Sequence, residues 1–329
     1  MNTRDERPTY ADAACAALGD AMAHDERIVV VGEDVGRGGI FGQYRGLQER
    51  FGAARVIDAP ISEATIMGAG VGMALAGCRP VVEMRVVDFA LCAIDEVVNQ
   101  AAKCRYMFGG QGRVPLVARL PGGIWSASAA QHSQSLEAWF VHVPGLLVVA
   151  PSTAADNAAL LRAAIDCGDP VVYLEHKELW GQRDAPEVAA APPARLGQAR
   201  VRRSGGDLTI VSWSRQLHWA LEAAAQLATE GIDAEVIDLV TLWPWDRDTV
   251  LESAGRTGAL LVTHEAVQIA GLGAEIVACA AEALGCRVMR AGAPRIPVGY
   301  APTLEEQARV RPAAIAAAAR RLLDRRKRP

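Results

Sequence analysis

Three short segments carry side chains that can do chemistry. The first is Ala59-Pro60-Ile61-Ser62-Glu63. Pro60 sets an extended entry, and Ser62 is placed to cap the helix that follows. Glu63 then falls in the first helical turn. A carboxylate there can move a proton in a closed site, or simply complement the helix dipole. The second is Gln131-His132-Ser133-Gln134-Ser135, after the Gly- and Ser-rich run 122–130. A polar cluster inside an apolar stretch suggests the lining of a site. A loop histidine satisfied by its neighbours is the other reading. The third is EMRVVDFALCAID (83–95), in which Asp88, Phe89 and Asp95 stand out. Phe89 alone reads as core packing and Asp88 as a helix N-cap.

What is missing narrows the classes. There is no G-x-G-x-x-G after a strand, no Walker A sequence, no Gly-x-Ser-x-Gly and no His-Glu-x-x-His. Gly205-Gly206-Asp207 leads into a strand as a turn and not as a phosphate loop. The cysteines Cys15, Cys78, Cys92, Cys104, Cys167, Cys279 and Cys286 form no Cys-x-x-Cys pair, which fits reduced thiols better than disulfides or a zinc site. A net charge of -4 gives no reason to expect nucleic acid as a partner. The start, MNTRDERPTY, lacks the apolar stretch of a secretory signal. No apolar run approaches the roughly 20 residues that span a bilayer. A cytoplasmic protein with no membrane partner is expected.

The elements that must position these residues alternate. Helix is expected at 10–23, 63–75, 88–102 and 154–165, and strand at 27–31, 80–83, 116–120, 146–150 and 171–174. Gly68, Gly70 and Gly72 are spaced for close packing of the 63–75 helix. From 178 to 200 the character changes, with Pro186, Pro192 and Pro193 among Ala and charged residues. Alternation then resumes, with strands at 208–212, 234–238 and 259–263 and helices at 216–230, 246–254 and 273–283. This is an α/β fold with mainly parallel sheets in two domains, 1–185 and 204–329, joined by a linker at 186–203.

In order and spacing, GEDVG (32–36), FGAARVIDAPISEATIMGAGVGMALAG (51–77), AIDEVVNQAAKCRYMFGGQ (93–111), AAQHSQSLEAWFVHVPGLLVVAPS (129–152) and DPVVYLEHKELW (169–180) resemble one family. It is the β subunit of the E1 component of thiamine-diphosphate-dependent 2-oxo acid dehydrogenases, of the pyruvate, branched-chain and acetoin types. The resemblance implies a pyrimidine-binding domain followed by a transketolase C-terminal-like domain, the latter matched more loosely. It makes Glu63 the carboxylate facing N1′ of the aminopyrimidine, where it stabilises the imino form and acts as general acid/base. Burial would raise the pKa of such a group. Phe89 would pack on the aminopyrimidine and Ile61 would be its apolar neighbour. His132 would stand near the reacting carbon, orienting the substrate or the lipoyl group and moving protons. Asp95 would belong to a proton path between two active sites. Main-chain carbonyls of Leu116, Ala164, Cys167 and Asp169 would hold K⁺.

Two positions depart from the family pattern. Arg85 stands where Gln is common, and can meet an acidic substrate, a carboxylate of another subunit or a surface partner. Trp125 sits in a loop that is Gly-rich in the family, and can shape a channel or pack at an interface. The chain also lacks the Gly-Asp-Gly sequence with which the superfamily holds Mg²⁺ and diphosphate. The resemblance therefore implies an E1 α subunit that holds both, in an α2β2 heterotetramer. Decarboxylation of a 2-oxo acid, or cleavage of acetoin, would be followed by acyl transfer to a lipoyl-bearing E2. The basic end (Arg320, Arg321, Arg325, Arg326, Lys327, Arg328) complements a helix C-terminus or docks E2. Half of a split transketolase-like enzyme and a non-catalytic assembly subunit are the alternatives.

Overall fold

Thr9 and Asp12 start the first helix. The Thr9 hydroxyl accepts from the Asp12 amide and the Asp12 carboxylate accepts from the Thr9 amide, a capping box that satisfies donors at the open end of α1 (Tyr10–His24). The computed structural model describes residues 6–324. After α1 come β1 (Ile28–Gly32), α2 (Leu47–Phe51), β2 (Val56–Asp58), α3 (Glu63–Leu75), β3 (Arg79–Glu83), α4 (Ala102–Met107), β4 (Val117–Gly122), α5 (Glu137–Val141), β5 (Leu147–Val149), α6 (Ala154–Asp166), β6 (Val171–His176) and α7 (Pro186–Ala189). There follow β7 (Arg200–Arg203), β8 (Leu208–Ser212), α8 (Ser214–Ala228), β9 (Ala234–Asp238), β10 (Thr241–Trp243), α9 (Arg247–Thr257), β11 (Ala259–Val267), α10 (Leu272–Leu284), β12 (Arg287–Ala293), α11 (Pro302–Gln307) and α12 (Pro312–Asp324).

Two compact units result: Met1–Pro121 with His142–Leu196, and Gly122–Val141 with Gly197–Pro329. The proline-bearing stretch does not stay irregular throughout. It holds α7, and Arg200–Arg203 becomes an edge strand of the second unit. In the first unit the strands run β5-β6-β4-β3-β1-β2. The registers of β1 with β2, β1 with β3, β3 with β4 and β5 with β6 are parallel. A parallel strand covered on both faces has no wet side, which is why Ile28–Gly32 is apolar throughout.

α3 begins at Glu63 and ends at Leu75 as expected, but only Gly70 of its three glycines is needed for packing. A Cβ there would stand 2.5 Å from Val82 Cγ2 and 3.0 Å from Leu116 Cδ1, whereas Gly72 faces open space. Ser62 is the N-cap residue without capping. Its hydroxyl donates instead to the Pro60 carbonyl, 3.1 Å away. The helix expected over 88–102 is broken. Val87–Ala93 is a 3₁₀ turn with Val86 at its cap, so the buried Asp88 lies inside the turn and not at its N-cap. Glu96–Ala101 is a π-helix. The exposed Asp95 carboxylate accepts from Asn99 (2.7 Å) and Gln100 (3.2 Å), four and five residues on, a spread that matches the wider π turn.

The centre of the first unit is charged. Arg119 on β4 is 0% exposed and donates to both oxygens of Glu175 on β6, from Nη2 at 2.9 Å and from Nε. Its guanidinium lies over the Tyr44 ring, 4.9 Å from the centroid. Across the β3–β4 register Arg119 faces Glu83, which accepts from the Tyr44 hydroxyl and from Gln43 (3.3 Å). Asn157 donates to Glu175 (2.8 Å) and accepts from Tyr173 (2.8 Å). One buried cation thus serves two buried carboxylates. Burial pushes Glu83 up to about 7 against the opposing pull of Arg119.

In the second unit a five-stranded sheet runs β12-β11-β8-β9-β7, parallel except where β7 meets β9. α8 and α12 cover it with Leu217, Ala220, Leu227, Ile315, Ala319 and Leu322. Of the basic end, Arg320 pairs with Glu230 at 2.5 Å. Arg325, Arg326, Lys327 and Arg328 lie outside the described residues. Among the described residues no helix is long and apolar enough to cross a membrane.

Two predictions rest on the charged centre. Unfolded Glu83 releases its proton near the ordinary 4.5 and folded Glu83 near 7, so between these values the folded chain binds more protons. Stability from this residue is therefore complete below 4.5 and is lost as pH rises through 7. Glu83→Gln should remove that decline from urea midpoints measured across the interval. Glu175→Ala strands a buried guanidinium and should cost about 3–5 kcal/mol in denaturant unfolding.

Candidate functional site

The carboxyl ends of parallel strands are where α/β folds place ligands; Ile61 and Glu63 follow β2 and Phe89 and Asp95 follow β3, whereas Leu116 precedes β4 and Ala164, Cys167 and Asp169 precede β6. β1 ends at Gly32, where a Cβ would come within 2.7 Å of Glu83 Cβ, so only glycine lets the neighbouring strand lie this close. Glu33 and Asp34 follow. β3 ends at Glu83 and Arg85 follows. Arg85 meets the chain's own Asp34, Nη1 to Oδ2 at 2.7 Å. The pair is 36% and 42% exposed, so it adds little stability but places a cation at the rim. Glu33 was not singled out from the sequence, yet it belongs here. Burial raises its pKa, the Glu63 charge raises it further, and Arg85 pulls it down. The available signal was its position just past an apolar parallel strand.

Glu63 stands half-buried in the first turn of α3, and α3 packs against the turn that carries the half-buried Phe89. Ile61, just before the helix, is 77% exposed. The expected burial of Glu63 is therefore incomplete in the single chain. Asp95 is exposed, and the bonds from Asn99 and then Gln100 hold it below the ordinary aspartate value. Of the cation-site positions, the Leu116 carbonyl accepts from the Val171 amide (2.8 Å) and the Ala164 carbonyl from the Cys167 amide (3.3 Å). The Asp169 side chain binds Arg105 at 2.5 Å. Among the described residues no group of three or more His, Cys, Asp or Glu side chains is arranged to hold a metal ion.

His132 belongs to the second unit. It ends a 3₁₀ turn (Ala130–His132) and is exposed. The Gly123 amide donates to the Gln134 carbonyl at 2.9 Å and closes the base of its loop. Trp125 is half-buried, and its carbonyl accepts from the Ser128 amide (3.0 Å) and hydroxyl (2.5 Å). Beside the loop lies a cavity of about 590 Å³, lined by Ile124, Ser133, Ser135, Trp139, Glu265 and Arg295 among others.

Known proteins match this architecture along its length. Residues 6–182 match the family described as "Transketolase, pyrimidine binding domain", and residues 197–315 match "Transketolase, C-terminal domain". The fold agrees with a solved structure titled "Split gene transketolase, inactive beta4 tetramer", at a TM-score of 0.82 and 24% identity over 96% of this chain and 98% of that one. These define a two-domain transketolase-like chain. The acetoin:2,6-dichlorophenolindophenol oxidoreductase subunit beta of Cupriavidus necator is 42% identical, over 93% of this chain and 95% of its own. The 2-oxoisovalerate dehydrogenase subunit beta of Bacillus subtilis is 38% identical over 96% and 98%. The mitochondrial pyruvate dehydrogenase E1 component subunit beta of Dictyostelium discoideum is 41% identical over 97% and 92%. The chain belongs to the family of β subunits of thiamine-diphosphate-dependent 2-oxo acid and acetoin dehydrogenase E1 components.

The carboxylate pair is directly measurable. Removing the Glu63 charge by Glu63→Gln should lower the pKa of Glu33, and removing the Arg85 charge by Arg85→Met should raise it. Carboxyl carbon NMR titration of the two variants reads both directions.

Proposed function

We propose that this chain forms the aminopyrimidine-facing half of a thiamine-diphosphate site, completed by an α subunit that holds Mg²⁺ and the diphosphate in an α2β2 assembly. The observation that carries this is the grouping of Glu63, Glu33 and the Phe89 turn at the strand ends, with Ile61 left 77% exposed beside them. A carboxylate to meet a ring nitrogen, an aromatic face and an open apolar side chain suit a flat heteroaromatic ring. They do not suit a diphosphate.

When bound, the cofactor supplies the electron sink for breaking the bond between a carbonyl carbon and its neighbour. The chain's residues do the rest. Glu63 exchanges a proton with N1′, and closure by the α subunit supplies the burial that the single chain lacks. Phe89 and Ile61 hold the ring plane and keep water from it. Glu33 stands in the field of Glu63, whose charge adds to burial in raising its pKa. His132 orients the acyl acceptor and moves a proton at the reacting carbon. Asp95 serves a proton path toward a second site. Carbonyls of Leu116, Ala164, Cys167 and Asp169 hold K⁺ and brace the turn between α6 and β6. The reaction is oxidative decarboxylation of a 2-oxo acid, with acyl transfer to a lipoyl-bearing E2, in the cytoplasm. Acetoin cleavage is the second reading. It rests on the acetoin-type relative at 42% identity, which stands beside pyruvate-type relatives at 41% and 44%.

The test is coexpression with the α subunit, thiamine diphosphate and Mg²⁺, assayed on pyruvate, branched-chain 2-oxo acids and acetoin with an artificial electron acceptor. Turnover should need both chains. Glu63→Gln should lower it by about 10²–10⁴-fold, the usual reach of a general acid–base group. Undiminished turnover in Glu63→Gln would end this reading. Activity on sugar phosphates alone would move the chain to the split-transketolase class.

A further inference from the structure

The loop that carries His132 contains little regular structure. Between Gly122, where β4 ends, and Glu137, where α5 starts, the regular structure is one 3₁₀ turn. Ser126, Ala127 and Ala129 have φ of 47°, 55° and 64°, the left-handed region that favours glycine. A chain with non-glycine residues there relaxes unless other groups fix it.

Two carboxylates from far along the sequence do so. Glu265, near the end of β11, accepts from the Ile124 amide (2.9 Å) and from the Ser135 hydroxyl (3.0 Å) with one oxygen, joining the two sides of the loop at its base. Glu305, on α11, accepts from the Ala127 amide (2.7 Å) with one oxygen and from Arg309 Nη2 (2.9 Å) with the other. Both residues are 8% exposed, so these charge-assisted bonds compete little with water. Each is anchored in turn. Beside Glu265, the buried His264 stacks on Trp213 at 5.3 Å and binds the Ala266 carbonyl (3.0 Å), which fixes the strand end. Arg309 holds Glu305 from one turn further on.

We propose that Glu265 and Glu305 are positioning residues for His132: they clasp its loop at the base and at Ala127, and so set where the imidazole stands when the acyl group is transferred. The proposal rests on the catalytic reading of His132 given above. It assigns to two acidic residues of the second unit a role exerted through His132 of the same unit.

The experiment uses the assembled α–β holoenzyme carrying Glu265→Leu, Glu265→Gln or Glu305→Gln, each with His132 present and with His132→Ala. The melting midpoint and assembly with α report folding. Glu265→Leu should lower kcat by about 10²-fold, the cost of an ångström-scale misplacement. The loss should vanish in the His132→Ala background, because there is nothing left to position. Glu265→Gln keeps an acceptor oxygen and should recover most of the rate. Glu305→Gln cannot accept from both Ala127 and Arg309, and should fall in between. Equal fold losses in both backgrounds, or no loss in either, would overturn the proposal. Amide hydrogen exchange separates this from failure of the underlying reading. If His132→Ala alone leaves turnover intact, His132 is not catalytic. Exchange at Ile124 and Ala127, accelerated in Glu265→Leu and Glu305→Gln respectively, would still establish the clasp, and unchanged exchange would remove it.

Discussion

A guanidinium in the middle of a parallel sheet must have its acceptors in place before the sheet can close. Arg119 has Glu175, Glu83 across the register and the Tyr44 ring around it, drawn from β6, β3 and the segment after β1. An uncompensated charge at this depth would cost several kcal/mol, so the network specifies which strands lie together and in which register. An apolar core would be as stable or more so, but would tolerate slippage. The strand ends beyond the network carry Glu33, Asp34 and Arg85. The rigidity of the buried pair is thus passed to the rim where the candidate chemistry sits.

The rim is polar and open, and the two facts belong together. Glu63 and Glu33 lie close enough for one charge to disfavour the other, and Arg85 beside Asp34 tempers that repulsion. In a fully closed pocket such a cluster would lose its water and its charges would have to be settled within the chain. Here Ile61 remains exposed and Phe89 is only partly covered, as suits a surface finished by a second protein.

Much of this was legible in the sequence, and the illegible part has a common cause. Local patterns gave α3 its limits, since a helix of small residues after Pro60 depends on near neighbours. They gave the strands 208–212 and 234–238 as well, because buried parallel strands are short apolar runs. The segment 88–102 misled because its apolar spacing fits an ordinary helix, while Asp95 binding both Asn99 and Gln100 accompanies a π turn. Glu33 and Glu265 carry no local spacing or motif that sets them apart from other acidic residues. Their surroundings are assembled from elements far apart in the chain, and no local window contains them. Carboxylates that bind backbone amides leave no periodic trace.

The loop carrying His132 lies inside the first sequence domain, 6–182, yet folds as part of the second compact unit. Gene-level modularity and structural modularity therefore disagree over residues 122–141. A recombination event at the proline-bearing junction would look clean in the DNA, but it would separate the loop from Glu265 and Glu305. Exchange of C-terminal domains among relatives is then constrained at two acidic positions remote from the crossover. Lineages that have traded this domain should carry the trace as paired change between the loop and those positions.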